Sequence, residues 1–232
     1  MTDQSLGQRV AGHLAERIYG NVLRFRRGWN RYRQPEDLKQ LLKLFPNVSL
    51  LEGYRLDYLQ MGSVESGWIW PYACLESAEG EEGLPEVLAG MHRDQLISLR
   101  DTPEARGIAI GTLNSYLRYS STPLGLFEYA FFMSELWSTK SSAVAGDWLE
   151  LELIFSRFAF DNLLRKTPYV IKRIKRPDTY DPQTQLESKR GGEVSFLAYR
   201  GGAFKHIFVL KANVDPMGSV IRETGDVLVV MD

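Results

Sequence analysis

The chain has 232 residues, with 28 Lys and Arg, 29 Asp and Glu, three His and one Cys. Hydrophobic residues make up 44% and charged residues 25%, which excludes a disordered chain and favours a packed core. A single cysteine excludes a disulfide framework and a cysteine-based zinc site. No apolar run approaches the ~20 residues of a membrane span, and no signal-peptide core follows the first residues. We therefore expect a cytoplasmic protein without a membrane partner.

Charge is distributed unevenly along the chain. Residues 1–43 carry a net charge of +5, residues 44–152 carry −10, and residues 153–232 carry +4. Two basic ends around an acidic middle are compatible with ends that fold onto the centre, with a basic surface for an anionic partner, or with an ordinary solvated surface.

The first third of the sequence predicts two helices and a hairpin. Apolar residues at spacings of three and four predict one long amphipathic helix over residues 5–33, and Pro35 begins a second helix that ends at Phe45. Apolar and aromatic stretches at Leu50–Leu59 and Trp68–Leu75 predict a β-hairpin. Its second strand carries an aromatic patch that suits either a core or a docking surface, formed by Trp68, Trp70, Pro71 and Tyr72.

The rest of the chain predicts more helices and then strands. Residues 84–139 are expected to be helical, with Thr122-Pro123 starting an apolar, buried helix. Residues 147–166 predict a strand and then a short helix to Arg165. Residues 176–192 read as a polar loop. Further strands are predicted at Tyr169–Lys175, Glu193–Tyr199, Phe204–Lys211 and Asp226–Met231.

These elements predict an α+β fold. N-terminal and central helices accompany a mostly antiparallel C-terminal sheet, and the N-terminal β-hairpin packs on that sheet. We expect one domain over residues 1–232. The acidic, glycine-containing segment 76–86 is the candidate for an internal excursion from it.

The candidate binding residues are basic and aromatic. Arginine binds phosphate in a bidentate manner, and aromatic rings stack on unpaired bases. The alternative is that these arginines solvate a helix whose apolar stripe packs on the domain. The predicted nucleic-acid contacts are Arg24, Arg27, Trp29 and Arg31 on the first helix, and Lys172, Arg173, Lys175 and Arg176 as a second strip.

Catalytic, metal and cofactor motifs are not found in the sequence. The three histidines lack metal-ligand spacing, no nucleophile motif or phosphate-binding glycine loop occurs, and Cys74 lies in an apolar strand, where burial would make it unreactive. We therefore predict no catalytic residues, no metal and no cofactor. Two Arg-Gly-Gly triplets, at Arg190 and Arg200, bracket a predicted strand and are interpreted as turn glycines.

One set of short segments resembles a known enzyme family. Arg118, Ser120-Ser121-Thr122 and Glu150-Leu151-Glu152 loosely resemble the Arg, Ser-Thr-Ser and Glu-x-Glu series of ADP-ribosyltransferases. The resemblance implies that the arginine and the serine segment hold NAD and that Glu152 drives transfer. The sequence departs from the family pattern in the order of the triplet and in the two-residue distance between Arg118 and that triplet.

The sequence thus favours a non-enzymatic binding protein, a subunit or accessory factor of a larger assembly. The expected partner is RNA or single-stranded DNA, bound through the basic-aromatic helix. The first alternative is a protein-protein interaction factor of the immunity or assembly type, whose acidic segment 76–86 meets a basic protein. The second is an ADP-ribosyltransferase-like enzyme.

Overall fold

Helices alternate with short strands in the first two thirds of the chain and the last third forms most of a large antiparallel sheet, which confirms the α+β prediction. The computed structural model describes residues 8–29, 35–61, 68–79, 83–91, 95, 103–137, 151–166, 170–188, 190–201 and 205–231. The helices are Gly12–Trp29 (α1), Pro35–Lys43 (α2), Glu86–Ala89 (α3), Pro103–Thr112 (α4), Pro123–Trp137 (α5) and Arg157–Lys166 (α6). The strands are Gln8–Arg9 (β1), Val48–Leu50 (β2), Tyr54–Met61 (β3), Trp68–Leu75 (β4), Leu117–Tyr119 (β5), Leu151–Ile154 (β6), Ile171–Ile174 (β7), Gln183–Ser188 (β8), Gly191–Arg200 (β9), Lys205–Val214 (β10) and Val220–Met231 (β11).

The large sheet has the strand order β1-β8-β9-β10-β11-β7, and β6 also pairs with β9. Its centre consists of β9, β10 and β11, which are ten to twelve residues long. β8 pairs with the first half of β9, and β6 pairs with the second half. Every pairing in this sheet is antiparallel, as the sequence predicted.

Helices lie against both faces of the sheet. On one face, α5 contacts β8, β9, β10 and β11 and is buried along almost its whole length, as expected for a helix that is apolar on all sides. The Oγ1 of Thr122 accepts a hydrogen bond from the N–H of Gly125 at 3.1 Å, which confirms the predicted cap. On the other face, Phe160 of α6 belongs to a cluster with Ile207 and Val229.

Helix α1 begins later than the sequence predicts. Residues 8 and 9 form a short strand against β8, and the N–H of Gly12 donates to Asp181 Oδ1 at 2.9 Å. The prediction of a helix from residue 5 is therefore wrong at its start. Val10 fits the helical spacing, but its backbone N–H donates to the carbonyl of Pro182 at 2.9 Å, and this sheet-edge bond replaces a helical one.

The predicted hairpin is confirmed and forms a separate two-stranded sheet of β3 and β4. Its Leu56 and Ile69 belong to the core cluster that also contains residues of the large sheet, and α5 contacts both β4 and the large sheet. Trp70 and Tyr72 form a second core cluster with α3 and α4, so these aromatic residues of the hairpin are core. Of the acidic segment 76–86, residues 80–82 lie outside the described residues.

Two predictions in the middle and late chain are wrong. The expected helical stretch 84–139 contains α3, α4 and α5 but is interrupted by β5, which pairs with β2. The expected polar loop 176–192 contains β8, which lies between β1 and β9. The strand and short helix predicted within residues 147–166 are confirmed by β6 and α6.

Candidate functional site

The N-terminal candidates lie on and after helix α1. Arg24 is exposed, and its guanidinium donates to the Oδ1 of Asn21 within the same helix. The backbone of Arg27 and Trp29 is helical, but their side chains are not part of the described structure. Arg31 lies outside the described residues. The structure thus places Arg24 at the surface, and all four nucleic-acid contacts stay predictions.

The C-terminal candidates lie on and after β7. Lys172 and Arg173 belong to this strand, and Lys175 and Arg176 follow it directly. All four residues of β7 are exposed, and the strand pairs with β11 on one side and with no other described strand. β7 is therefore an edge strand whose two faces both meet solvent.

Helix α6 is joined to the end of β7 by an ion pair. The Nη1 of Arg176 donates to Asp161 Oδ1 at 2.8 Å, and its guanidinium lies 5.9 Å from the centre of the Phe160 ring. The hydrogen bond from Arg176 holds the pKa of Asp161 below its usual value, and the same bond raises the pKa of Arg176. Arg157 pairs with Asp161 at 3.5 Å. Arg176 thus anchors the strip, and Lys172, Arg173 and Lys175 are exposed.

An aromatic residue that the sequence analysis did not single out lies on the same helix. Phe158 follows Arg157 at the start of α6 and is 77% exposed, the largest exposed fraction among the large apolar residues that the structure describes. Arg165 and Lys166 end the helix and are exposed. We define the α6–β7 surface as Arg157, Phe158, Arg165, Lys166, Lys172, Arg173, Lys175 and Arg176.

Helix α1 contacts the start of α6, because the Oγ of Ser156, the residue before Arg157, donates to Glu16 Oε1 at 3.4 Å. Helix α1 is attached to β6, because the N–H of Leu153 donates to the hydroxyl of Tyr19 at 3.2 Å. In strand order, β9, β10 and β11 lie between β6 and β7. Arg24, the described side chain of the first strip, and the charges of β7 are therefore separate candidates, whereas the start of α6 adjoins α1.

A cleft of about 200 Å³ lies beside β7. Lys175 and Arg176 line it, together with the carboxylates of Asp178, Asp181 and Asp226. Because three acids oppose two bases, the cleft itself does not suit an anion. The other basic residues of the α6–β7 surface do not line it.

Arg118 and Glu152 of the segments that resemble ADP-ribosyltransferases lie on two different sheets. Arg118 is on β5 and donates to the carbonyls of Ser115 and Leu117. Ser120 bonds to Asn47 Oδ1 at 3.1 Å. Glu152 is an exposed residue of β6, opposite Tyr199, and Glu150 lies outside the described residues.

Other reactive groups are few in the described part of the chain. Cys74 is buried, and burial is the main cause that raises the pKa of its thiol. Burial likewise raises the pKa of the neighbouring Tyr72 to about 12. Within the described ranges, no three His, Cys, Asp or Glu side chains are grouped so that they could hold a metal ion.

Comparisons identify no relative of this protein. The chain matches no protein-family model, no curated protein and no solved structure. In the part that the structure describes, no helix combines the length and the apolar character needed to cross a membrane.

Proposed function

We propose that the protein is a non-enzymatic binding protein, a subunit or accessory factor of a larger assembly, that contacts RNA or single-stranded DNA through the α6–β7 surface. One observation carries the proposal. Between residues 157 and 176 the chain has seven basic side chains and one carboxylate, and all seven basic side chains are exposed. Such a concentration of one charge attracts a polyanion and gives it salt-dependent affinity.

The arrangement favours an unpaired strand over a duplex. Phe158 presents an exposed ring on the helix that Arg176 joins to β7, and exposed rings stack on unpaired bases whatever their sequence. Arg173 and Lys175 are two residues apart on an extended segment and so project from the same face, where they form a row of charge that a single strand can track. Lys172 projects from the opposite face. The sequence contains no helix-turn-helix or zinc-finger pattern for reading a duplex.

The test compares two matched double variants in fluorescence anisotropy with a labelled 20-nucleotide single strand. Lys172→Gln with Lys175→Gln removes two exposed charges of the surface, and Arg9→Gln with Lys43→Gln removes two exposed charges elsewhere. We expect the first pair to weaken binding and to reduce the salt slope by about 1.4, since each single-strand phosphate contact contributes about 0.7. The control pair keeps the wild-type slope. An equal loss of affinity in the two double variants overturns the assignment of the binding site to the α6–β7 surface.

The stacking role of Phe158 has its own readout. Phe158→Ala is expected to weaken binding about tenfold, in the range of one base–aromatic stack, and to leave the salt slope unchanged. A weaker affinity together with a changed slope would mean that the substitution disturbs the neighbouring charges instead.

The predicted contacts on and after α1 are a second part of the proposal. Charge reversal at Arg24, Arg27 and Arg31 is expected to reduce affinity and to make its salt dependence shallower. Unchanged affinity would remove the helix, and Trp29 with it, from the proposed interface.

The edge position of β7 favours a protein partner as the alternative. Val170, Ile171 and Ile174 are exposed along this strand, and an edge strand with apolar side chains can pair with a strand of another protein. The 260/280 nm absorbance ratio of protein purified at low salt distinguishes a nucleic-acid partner from a protein partner. A raised ratio that falls after a high-salt wash supports nucleic acid, and a clean ratio with no anisotropy change supports the protein-protein interaction factor.

A further inference from the structure

The cleft beside β7 crosses the sheet face that carries α6. Its lining includes Gln183 of β8, Leu197 of β9, Val209 of β10 and Leu228 of β11, so the cleft spans four neighbouring strands. Leu197 and Leu228 belong to the same core cluster as Phe160 of α6, which identifies the face. Three strand spacings of about 4.8 Å separate β8 from β11 by roughly 14 Å. A cleft of this shape suits an elongated ligand.

The segment that connects β7 to β8 forms one wall of this cleft and is held at both ends. At its start, the N–H of Lys175 donates to the carbonyl of Leu228 on β11 at 2.8 Å. At its end, Asp181 Oδ1 accepts the N–H of Gly12 at 2.9 Å, and the N–H of Asp181 donates to Thr179 Oγ1 at 3.1 Å. The protein's own hydrogen bonds therefore form this wall, and the cleft does not need a ligand to exist.

Carboxylates lie at both ends of the cleft and on the wall between them. Asp181 lies two residues before Gln183 at the β8 end, Asp226 belongs to β11 at the other end, and Asp178 is on the connecting segment. Asp178 and Asp226 are exposed, and their carboxylates form no hydrogen bond or ion pair with another residue that the structure describes. Within the described ranges these acids are not grouped closely enough to hold a metal ion. The negative charge is therefore distributed along the cleft.

The basic residues of the lining cancel only part of this charge. The guanidinium of Arg176 donates to Asp161 Oδ1 at 2.8 Å, and Asp161 does not line the cleft. Arg176 is thus neutralised by a carboxylate outside the cleft. Three carboxylates and the ammonium group of Lys175 then leave a net charge of −2 among the described lining residues, which attracts a cation.

Between its two ends the floor of the cleft is largely apolar. Leu197 on β9 and Val209 on β10 are directly opposite each other in the sheet, so their side chains lie on the same face. Ser195, two residues before Leu197, adds a hydroxyl that can accept a hydrogen bond. Methylene groups of a ligand can pack on the two apolar side chains while its charged ends reach Asp181 and Asp226.

We propose that this cleft binds a linear polyamine, an alkyl chain with an ammonium group at each end, with Asp181 and Asp226 at the two ends and Asp178 beside the middle. Extended spermidine is roughly 11 Å long, from bond lengths of about 1.5 Å, and this length fits the roughly 14 Å between β8 and β11. A metal ion would need ligands that converge on one point, and an anion would meet net negative charge.

The polyamine site goes beyond the proposed nucleic-acid function and does not depend on it. The two sites share Lys175 and Arg176, but the charge of Lys175 acts in opposite directions in them. Lys175→Gln removes a positive charge from the cleft and is expected to strengthen spermidine binding about twofold. The same substitution is part of the double variant that should weaken nucleic-acid binding. Each proposal can therefore fail while the other holds.

The test is calorimetric titration with spermidine at constant ionic strength, on protein freed of nucleic acid by a high-salt wash. The variant is Asp181→Asn with Asp226→Asn, in which asparagine keeps the oxygen that the fold uses at position 181. The matched control is Glu187→Gln with Glu223→Gln, two exposed acids on β8 and β11 that do not line the cleft. We expect saturable binding by the wild type, a loss of about tenfold in the variant, from about threefold for each exposed ion pair, and no loss in the control.

A second titration with butylamine tests whether both ends of the cleft are used. Butylamine has one ammonium group, as a lysine side chain has, and is expected to bind at least about tenfold more weakly than spermidine, since it cannot reach both end carboxylates. Thermal unfolding without ligand checks that every variant folds. The proposal is overturned by the absence of saturable spermidine binding, by an equal loss in the two double variants, by weaker spermidine binding of Lys175→Gln, or by butylamine binding as tight as that of spermidine.

Discussion

Tyr119 and Tyr129 stack with an interplanar angle of 32°, yet their hydroxyls have different surroundings. The hydroxyl of Tyr129 donates to the carbonyl of Gly218, whereas the hydroxyl of Tyr119 has no partner among the described residues. Burial is the largest cause that raises the pKa of both phenols, that of Tyr119 to about 12. Both side chains therefore stay neutral donors at physiological pH.

This difference predicts that replacing each tyrosine by phenylalanine changes the free energy of unfolding differently at the two positions. Tyr129→Phe leaves the buried Gly218 carbonyl without its donor and is expected to reduce the free energy of unfolding by about 1–3 kcal/mol. Tyr119→Phe removes an unpaired hydroxyl, so the free energy of unfolding should stay unchanged or rise. Urea unfolding of both variants measures the difference. An equal loss at the two positions would show that the Tyr119 hydroxyl is bonded in solution.

The sequence predicted the fold class and most elements because their signals are local. The apolar character of α5 and its Thr122-Pro123 start indicate a buried helix with its cap, and the structure contains both. β8 was missed because residues 183–188 are mostly polar and follow two prolines. Its buried Thr184 and half-buried Leu186 alternate with more exposed polar residues. This two-residue period is the sequence signal from which the strand could have been predicted.

The α6–β7 surface is only partly visible in the sequence. The basic residues of β7 and the two residues after it lie close together in the sequence, so a basic strip can be predicted, although the anchoring of Arg176 by Asp161 cannot. No spacing rule links Tyr129 to Gly218 either, because antiparallel pairing of distant strands brings their segments together.

Glu128 gives a prediction that depends on pH. This buried residue of α5 accepts hydrogen bonds from the backbone N–H of Asn47 at 2.7 Å and from its Nδ2 at 3.0 Å. Burial raises the pKa of Glu128 more than these two bonds and the charge of Arg17 lower it. The folded state thus binds this proton more tightly than the unfolded chain does. The contribution of Glu128 to stability therefore falls as the pH rises from the ordinary glutamate pKa of 4.5 through the raised folded value.

Glu128→Gln is neutral at every pH and removes this dependence. We compare the free energy of unfolding of the wild type with that of the variant. The wild-type value minus the variant value is expected to decrease from pH 4 to pH 8. The decrease is about 1.4 kcal/mol for each unit by which the folded pKa exceeds the unfolded pKa. Glu86→Gln, at an exposed position of α3, is the control. The same slope in both variants, or a slope of opposite sign for Glu128→Gln, would contradict the prediction.

Gly192 and Gly201, one from each Arg-Gly-Gly triplet, differ in how closely neighbouring atoms approach them. A Cβ on Gly192 would lie 2.2 Å from the carbonyl oxygen of Gln185 on the neighbouring strand and 2.9 Å from a methyl group of Leu126. A Cβ on Gly201 would lie no closer than 3.9 Å to its nearest neighbour, the hydroxyl of Tyr199. Glycine at position 192 therefore allows β8 to approach β9, whereas the space at position 201 accepts a methyl group.

Gly192→Ala is accordingly expected to lower the free energy of unfolding by about 1–3 kcal/mol, the usual range for overpacking against backbone, and Gly201→Ala to change it little. Urea unfolding of the two variants measures this contrast, and anisotropy with a labelled RNA strand measures whether either glycine matters for binding. If the triplets served as RNA-binding repeats, Gly201→Ala would weaken binding without affecting stability. The packing explanation instead requires that Gly201→Ala binds as the wild type does and that the whole effect of Gly192→Ala follows from its lower stability.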